Sequence, residues 1–138
     1  MAKPTRIKCA KGEPLESLKQ QITKFHNAGY RGLYNGETAD DIAKRKKLRY
    51  REDILDNMGS EELAANLFRI SQAETKLKKD NISSERAANE THYNIGKNIR
   101  EVIAKNGGNM PEELPTPKKS LKDLERDKKQ QEKIEMAK

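Results

Sequence analysis

The chain has 138 residues, 33% of them hydrophobic and 37% charged, with two Phe, four Tyr and no Trp. Globular chains average about 45–50% apolar and about 25% charged residues, so a large core is excluded. Bulky aromatics carry much of a compact core's buried area, and the composition therefore implies either a thin helical core or one completed by a second copy or a partner. Lys and Arg number 29 against 22 Asp and Glu, a net charge of +7. That balance favours polyanionic partners, nucleic acid first, although solvated helix surfaces also accommodate it. Cys9 stands alone, which excludes an internal disulfide and a thiolate zinc site. No apolar run approaches the roughly 20 residues that span a bilayer, and Met1-Ala2-Lys3-Pro4 lacks the apolar stretch of a signal peptide. The expectation is a cytoplasmic protein with no membrane partner.

Residues 1–13 carry Lys3, Arg6, Lys8 and Lys11 without apolar periodicity and read as a flexible basic arm. A helical domain is expected over 14–116. Leu15, Leu18, Ile22 and Phe25 recur at spacings of three, four and three, the stripe of an amphipathic helix opened by Pro14 and ended by Gly29. Asn35-Gly36 signals a turn. Thr38 caps a short helix with Asp40 and Asp41 in its first turn and Lys44 to Lys47 at its end. A further short helix is expected over 51–58, stopping at Gly59. Ser60 then caps a long helix to about Lys79, with Glu61 and Glu62 in its first turn and Leu63, Leu67, Ile70 and Leu77 on its seam. After Asp80 to Ser83, a second long helix runs from about Ser84 to Asn106, with Ala88, His92, Ile95, Ile99 and Val102 on its seam. Two such seams joined by a short turn describe an antiparallel hairpin, and the fold class is all-α. Gly107-Gly108 ends the hairpin. Thr116-Pro117 starts a charged, exposed helix or tail over 117–138, with Ile134 and Met136 its sizeable apolar residues beyond Leu124.

Chemistry has little to work with. His26 and His92 belong to separate helices, and a zinc site needs three or four convergent ligands. Cys9 lies in a basic arm with nothing to organise a Cys-His pair. The acid pairs Asp40-Asp41, Glu61-Glu62 and Glu112-Glu113 each sit near a helix start, where the helix dipole accounts for them. The glycines match neither a phosphate-binding loop nor a dinucleotide fingerprint. No catalytic residue, metal or cofactor is expected.

Binding residues are more evident. In Lys44-Arg45-Lys46-Lys47-Leu48-Arg49-Tyr50-Arg51, six of eight residues are cationic and a tyrosine sits among them. Such a segment can contact phosphates and stack an unpaired base, or it can be a solvated helix end balanced by Asp40, Asp41, Glu52 and Asp53. A second basic surface is formed by Arg69, Lys76, Lys78, Lys79, Lys97 and Arg100, with Glu74 and Glu101 available as ordinary helix-surface partners. Tyr30, Leu33 and Tyr34 either dock a partner or fill the gap between short helices. Asn66, Gln72, Asn89, Thr91 and His92 lie on or near the seams, where buried hydrogen bonds would fix register. Ala64, Ala65, Ala87, Ala88 and Gly96 would allow close helix approach.

Phe25-His26-Asn27-Ala28-Gly29-Tyr30-Arg31-Gly32-Leu33-Tyr34-Asn35-Gly36 resembles the segment that opens the C-terminal region of the DNA-damage-inducible protein D family. So does the run from Met58 and Gly59 through Asn66 and Gln72 to Glu74, its most specific motif. The runs Ala88 to Lys97, which includes Asn89, Thr91, His92 and Gly96, and Gly107 to Pro117 follow in the same order. The resemblance implies a bacterial or mobile-element protein tied to the DNA-damage (SOS) response. It also implies that the N-terminal BRO-type domain usual in the family is absent here, since only a short stretch precedes the match. The residues and the resemblance together lead to a non-enzymatic regulatory module acting on DNA, single- or double-stranded, or on a recombinase–DNA filament. The alternative is a mobile-element module that sequesters a host protein, through the Tyr30–Tyr34 turn or the tail helix. Heptad seams on so thin a core also allow a homodimer.

Overall fold

The computed structural model describes residues 15–49 and 53–137, with side chains from Ser17 onward. The basic arm at 1–13, Cys9, Tyr50 and Arg51 lie outside the described residues. Among the described residues five α-helices follow in order: α1 (Leu15–Leu33), α2 (Ala39–Arg45), α3 (Ser60–Lys79), α4 (Glu85–Lys105) and α5 (Leu121–Met136). Single 3-10 turns sit at Leu55–Asn57 and Pro111–Glu113, and no strand occurs among the described residues. The class is all-α and the hairpin of α3 and α4 is present.

Local chemistry sets most of the ends. The Thr38 hydroxyl accepts from the Asp41 amide while the Asp41 carboxylate accepts from the Thr38 amide, a reciprocal cap for α2. Ser84 caps α4 through the Ala87 amide. Four helices end alike, with a residue of positive φ (Asn35, Lys47, Asn81, Gly107) and a bond from the next amide back to the carbonyl five residues earlier. Two boundaries differ from expectation. Gly59, not Ser60, occupies the cap position of α3, and it has no side chain to donate or accept. The last helix starts at Leu121, because Ser120 forms a capping box with Asp123, while Thr116 is turned toward Lys46. The expected helix over 51–58 is only a turn at Leu55–Asn57 among its described residues.

The closest helix pair is α1 with α4, ahead of α3 with α4. Gly29 does not end α1, which continues to Leu33. The reason is tertiary. A glycine inside a helix costs about 1 kcal/mol against Ala, but here Gly29 leaves room for the Arg69 and His92 side chains, and Gly32 meets α4 with backbone against backbone. A Cβ on Gly96 would lie 2.7 Å from the Leu33 nitrogen and 2.8 Å from the Gly29 oxygen, and one on Gly32 would collide with the Tyr93 carbonyl. The apolar core is correspondingly small, formed by Tyr30, Leu33, Tyr34, Ile42, Met58 and Ile99. Tyr30, Leu33 and Tyr34 thus fill the gap between elements and are not a docking surface.

The inward face of α3 is the main departure. Its buried residues are Glu62, Asn66, Arg69 and Ala73, one position off the apolar seam read from Leu63, Leu67 and Ile70. Leu67 is half exposed. On α4 the buried set is His92, Gly96 and Ile99, which follows the expected seam, whereas Val102 faces solvent. Helix α5 buries no residue and meets the rest of the chain chiefly at the Leu55–Asn57 turn, with the Lys122 amide donating to Asp56.

Candidate functional site

A continuous chain of buried polar groups runs through the core. The Lys46 ammonium donates to Glu62 Oε1 at 2.8 Å, both side chains having no solvent exposure, and also to Thr116 Oγ1 at 3.3 Å. The Tyr34 hydroxyl donates to Glu62 Oε2 at 2.5 Å and accepts from Asn66 Nδ2 at 2.9 Å. Burial, then the bond to Glu62, raises the Tyr34 pKa well above its ordinary value, so the phenol stays protonated. Asn66 Oδ1 accepts from Arg69 Nε and Nη2 at 3.3 and 2.9 Å, and the guanidinium carbon lies 4.6 Å from the centre of the Tyr30 ring. Arg69 Nη1 reaches His92 Nε2 at 2.6 Å, and His92 Nδ1 reaches the Phe25 carbonyl at 2.9 Å. A guanidinium only donates. His92 Nε2 is therefore the acceptor, and Nδ1 carries the proton given to Phe25.

That arrangement has a pH consequence. Burial first, then the charge of Arg69, pushes the His92 pKa down to about 4 from 6.5. The folded protein holds His92 neutral, while the unfolded chain takes up a proton below pH 6.5. Stability from this group is complete above pH 6.5 and falls as pH drops toward 4, by about 3 kcal/mol in all. Urea midpoints measured at pH 7.5 and 4.5 are expected to differ accordingly. The His26 pKa is also lowered, by burial and by Arg69, so His26→Gln is the control that separates the two. A decline that survives unchanged in His92→Asn would contradict the assignment to His92.

The interior placement of these residues corrects the sequence reading at several positions. Lys46 lies inside, paired with Glu62, and is not among the solvent-facing cations of its segment. Arg69 is wholly buried and is not part of a basic surface. Glu62 is an ion-pair partner and not simply a first-turn acid. Gln72 is exposed rather than hydrogen-bonded in a seam, and Asn89 Oδ1 is buried without a partner among the described residues. Asn66, His92 and Gly96 do have the buried roles expected of them, while Thr91 is half buried and Gly59 faces open space.

Outside the core, the positive-φ turn at Lys47 divides the basic run. Lys46 turns inward while Lys44, Lys47 and Arg49 are exposed, and Arg45 pairs with Glu37 through three hydrogen bonds of 2.9–3.2 Å. Of the second set, Lys78, Lys79 and Lys97 face solvent and Lys76 pairs with Asp80 at 2.8 Å. Arg100 holds Glu112 with two bonds of 2.7 and 2.8 Å. Sequence reasoning missed two surfaces. One is an apolar groove of about 440 Å³ between α3 and α4, floored by Ala64 and Ala65 and walled by Phe68 and Val102, which are 55% and 56% exposed. The other is a polar groove beside the end of α1, where Arg31 joins Tyr93 and Lys97.

Among the described residues no group of three or more His, Cys, Asp or Glu could hold a metal, and no helix is long and apolar enough to cross a membrane. These features define a basic, all-helical module whose polar chemistry is turned inward to hold the fold. The chain belongs to the DNA-damage-inducible protein D family: the family model for the DinD C-terminal domain matches residues 8–124. The DNA damage-inducible protein D of Escherichia coli (strain K12) is 54% identical over 101 residues, 73% of this chain and 37% of that protein. The chain thus aligns with little more than a third of that relative. No solved structure matches it.

Proposed function

We propose that this chain is a non-enzymatic, cytoplasmic binding module of the DNA-damage response that engages DNA or a recombinase–DNA filament. Its family and its charge of +7 support that reading. The observation that carries it is the division of the basic run at the end of α2. Lys46 turns inward to Glu62 and Arg45 pairs with Glu37, while Lys44, Lys47 and Arg49 face solvent. The triple variant Lys44→Ala, Lys47→Ala and Arg49→Ala tests it by fluorescence anisotropy on labelled DNA. Each lost phosphate contact lowers the salt slope by about 0.9 on a duplex or about 0.7 on a single strand, so a slope reduced by roughly two to three and at least tenfold weaker binding at low salt are expected. Unaltered affinity and slope would remove the site. Lys46 is kept intact, because its loss would act through folding.

A second reading has its own support. The exposed Phe68 and Val102 beside the α3–α4 groove are the kind of contiguous apolar surface that marks a protein interface. On this reading the module sequesters a host protein without touching nucleic acid. Binding that ignores salt and fails in Phe68→Ser would favour it over the first.

A further inference from the structure

Between the last turn of α1 and the middle of α4 lies a polar groove of about 410 Å³, lined by Arg31, Asn35, Tyr93, Lys97, Arg100 and Glu101 among others. We propose that it holds a short stretch of single-stranded nucleic acid, with an unpaired base stacked on Tyr93 and adjoining phosphates on Arg31 and Lys97. This rests on the nucleic-acid reading above and assigns that reading a second, strand-selective contact.

Four observations converge on it. Tyr93 is 38% exposed and lines the groove. The Lys97 ammonium stands 5.9 Å from the centre of that ring, so a base on the ring would bring its phosphate within reach of the cation. The Tyr93 backbone is immobilised, because Gly32 lets α1 close directly onto its carbonyl, and a fixed platform loses little entropy on binding. Arg100 is spent on Glu112 and the Leu33 carbonyl, at 2.7–3.1 Å, and forms a rigid wall. Arg31 and Lys97 are the other two cations of the lining, and Glu101 is its acid. The preference for a single strand follows from the tyrosine. Duplex bases are already stacked on one another, whereas an unpaired base can use an aromatic face whatever its sequence.

The experiment is anisotropy on labelled oligothymidylate and on a duplex of equal length, with the full chain and a salt series. The wild type is expected to bind the single strand more tightly than the duplex. Tyr93→Ala should weaken single-strand binding by about tenfold; Tyr93→Phe should bind as wild type and Tyr93→Leu, similar in bulk but without a ring face, should not, an outcome that loss of packing alone would not give. Arg31→Gln with Lys97→Gln should lower the salt slope by roughly 1.4. Glu101→Gln should tighten binding, since it removes the acid of the lining. If Tyr93→Ala and the Arg31/Lys97 pair bind as wild type does while the Lys44/Lys47/Arg49 variant loses affinity, the groove is wrong and the nucleic-acid function stands. A wild type that binds neither strand form at low salt removes both.

Discussion

Replacing Lys46 with Ala is expected to destabilise the protein by about 3–5 kcal/mol, because it leaves the Glu62 carboxylate buried without its ammonium partner. Domains of this kind are stable by roughly 5–15 kcal/mol, and a core this thin belongs at the low end. The variant should therefore be largely unfolded by urea concentrations the wild type tolerates, read by circular dichroism at 222 nm. Lys47→Ala, one residue away and exposed, should stay within about 0.5 kcal/mol of wild type. The double variant Lys46→Met with Glu62→Leu should recover much of the loss, since both charges leave together. The remaining deficit comes from the Tyr34 hydroxyl, whose acceptor has gone. A Lys46→Ala protein as stable as wild type would mean that the pair is not buried.

The second large effect is steric. In an exposed helix, Gly→Ala stabilises by about 1 kcal/mol. Gly32→Ala and Gly96→Ala should do the opposite, each costing about 3 kcal/mol or more, because their methyl groups would meet backbone that cannot swing aside. The expected outcome is separation of α1 from α4 and a fall in the thermal midpoint of several degrees or more. Gly59→Ala supplies the contrast, as nothing lies within 4 Å of its added carbon. Equal tolerance at Gly32 and Gly59 would contradict the close approach of the two helices.

These two sites also show which parts of the fold were legible in the sequence. Thr38, Ser84 and the glycine pair at 107–108 mark boundaries through local hydrogen bonding and backbone preference, and the structure agrees with them to within a residue or two. The continuation of α1 through Gly29 was hidden because propensity is local, whereas the compensation is the close approach of Arg69 and His92 from two other helices. The inward face of α3 was hidden for a related reason. Apolar periodicity pointed to Leu63, Leu67 and Ile70, but Glu62, Asn66, Arg69 and Ala73 repeat at the same four-three-four spacing one position earlier. A polar stripe of that period is a usable signal only once a partner such as Lys46 or His92 is known to face it. Burial then becomes affordable through charge pairing and hydrogen bonding rather than hydrophobicity. The basic run at 44–51 stands out in the sequence, yet its division depends on the positive φ of Lys47, a conformation that composition does not disclose. The groove at Tyr93 was invisible because Arg31 and Lys97 are brought together only by the α1–α4 contact.

The account turns on whether this module binds nucleic acid through phosphates. The most direct measurement is the affinity of the intact chain for labelled single- and double-stranded DNA between about 50 and 200 mM salt, where phosphate-driven binding changes most steeply. Binding whose logarithm falls linearly with the logarithm of salt, with the single strand held more tightly, is the result expected. Absence of binding at the lowest salt, or an affinity indifferent to salt, would contradict the account and leave the apolar face between α3 and α4 as the working surface.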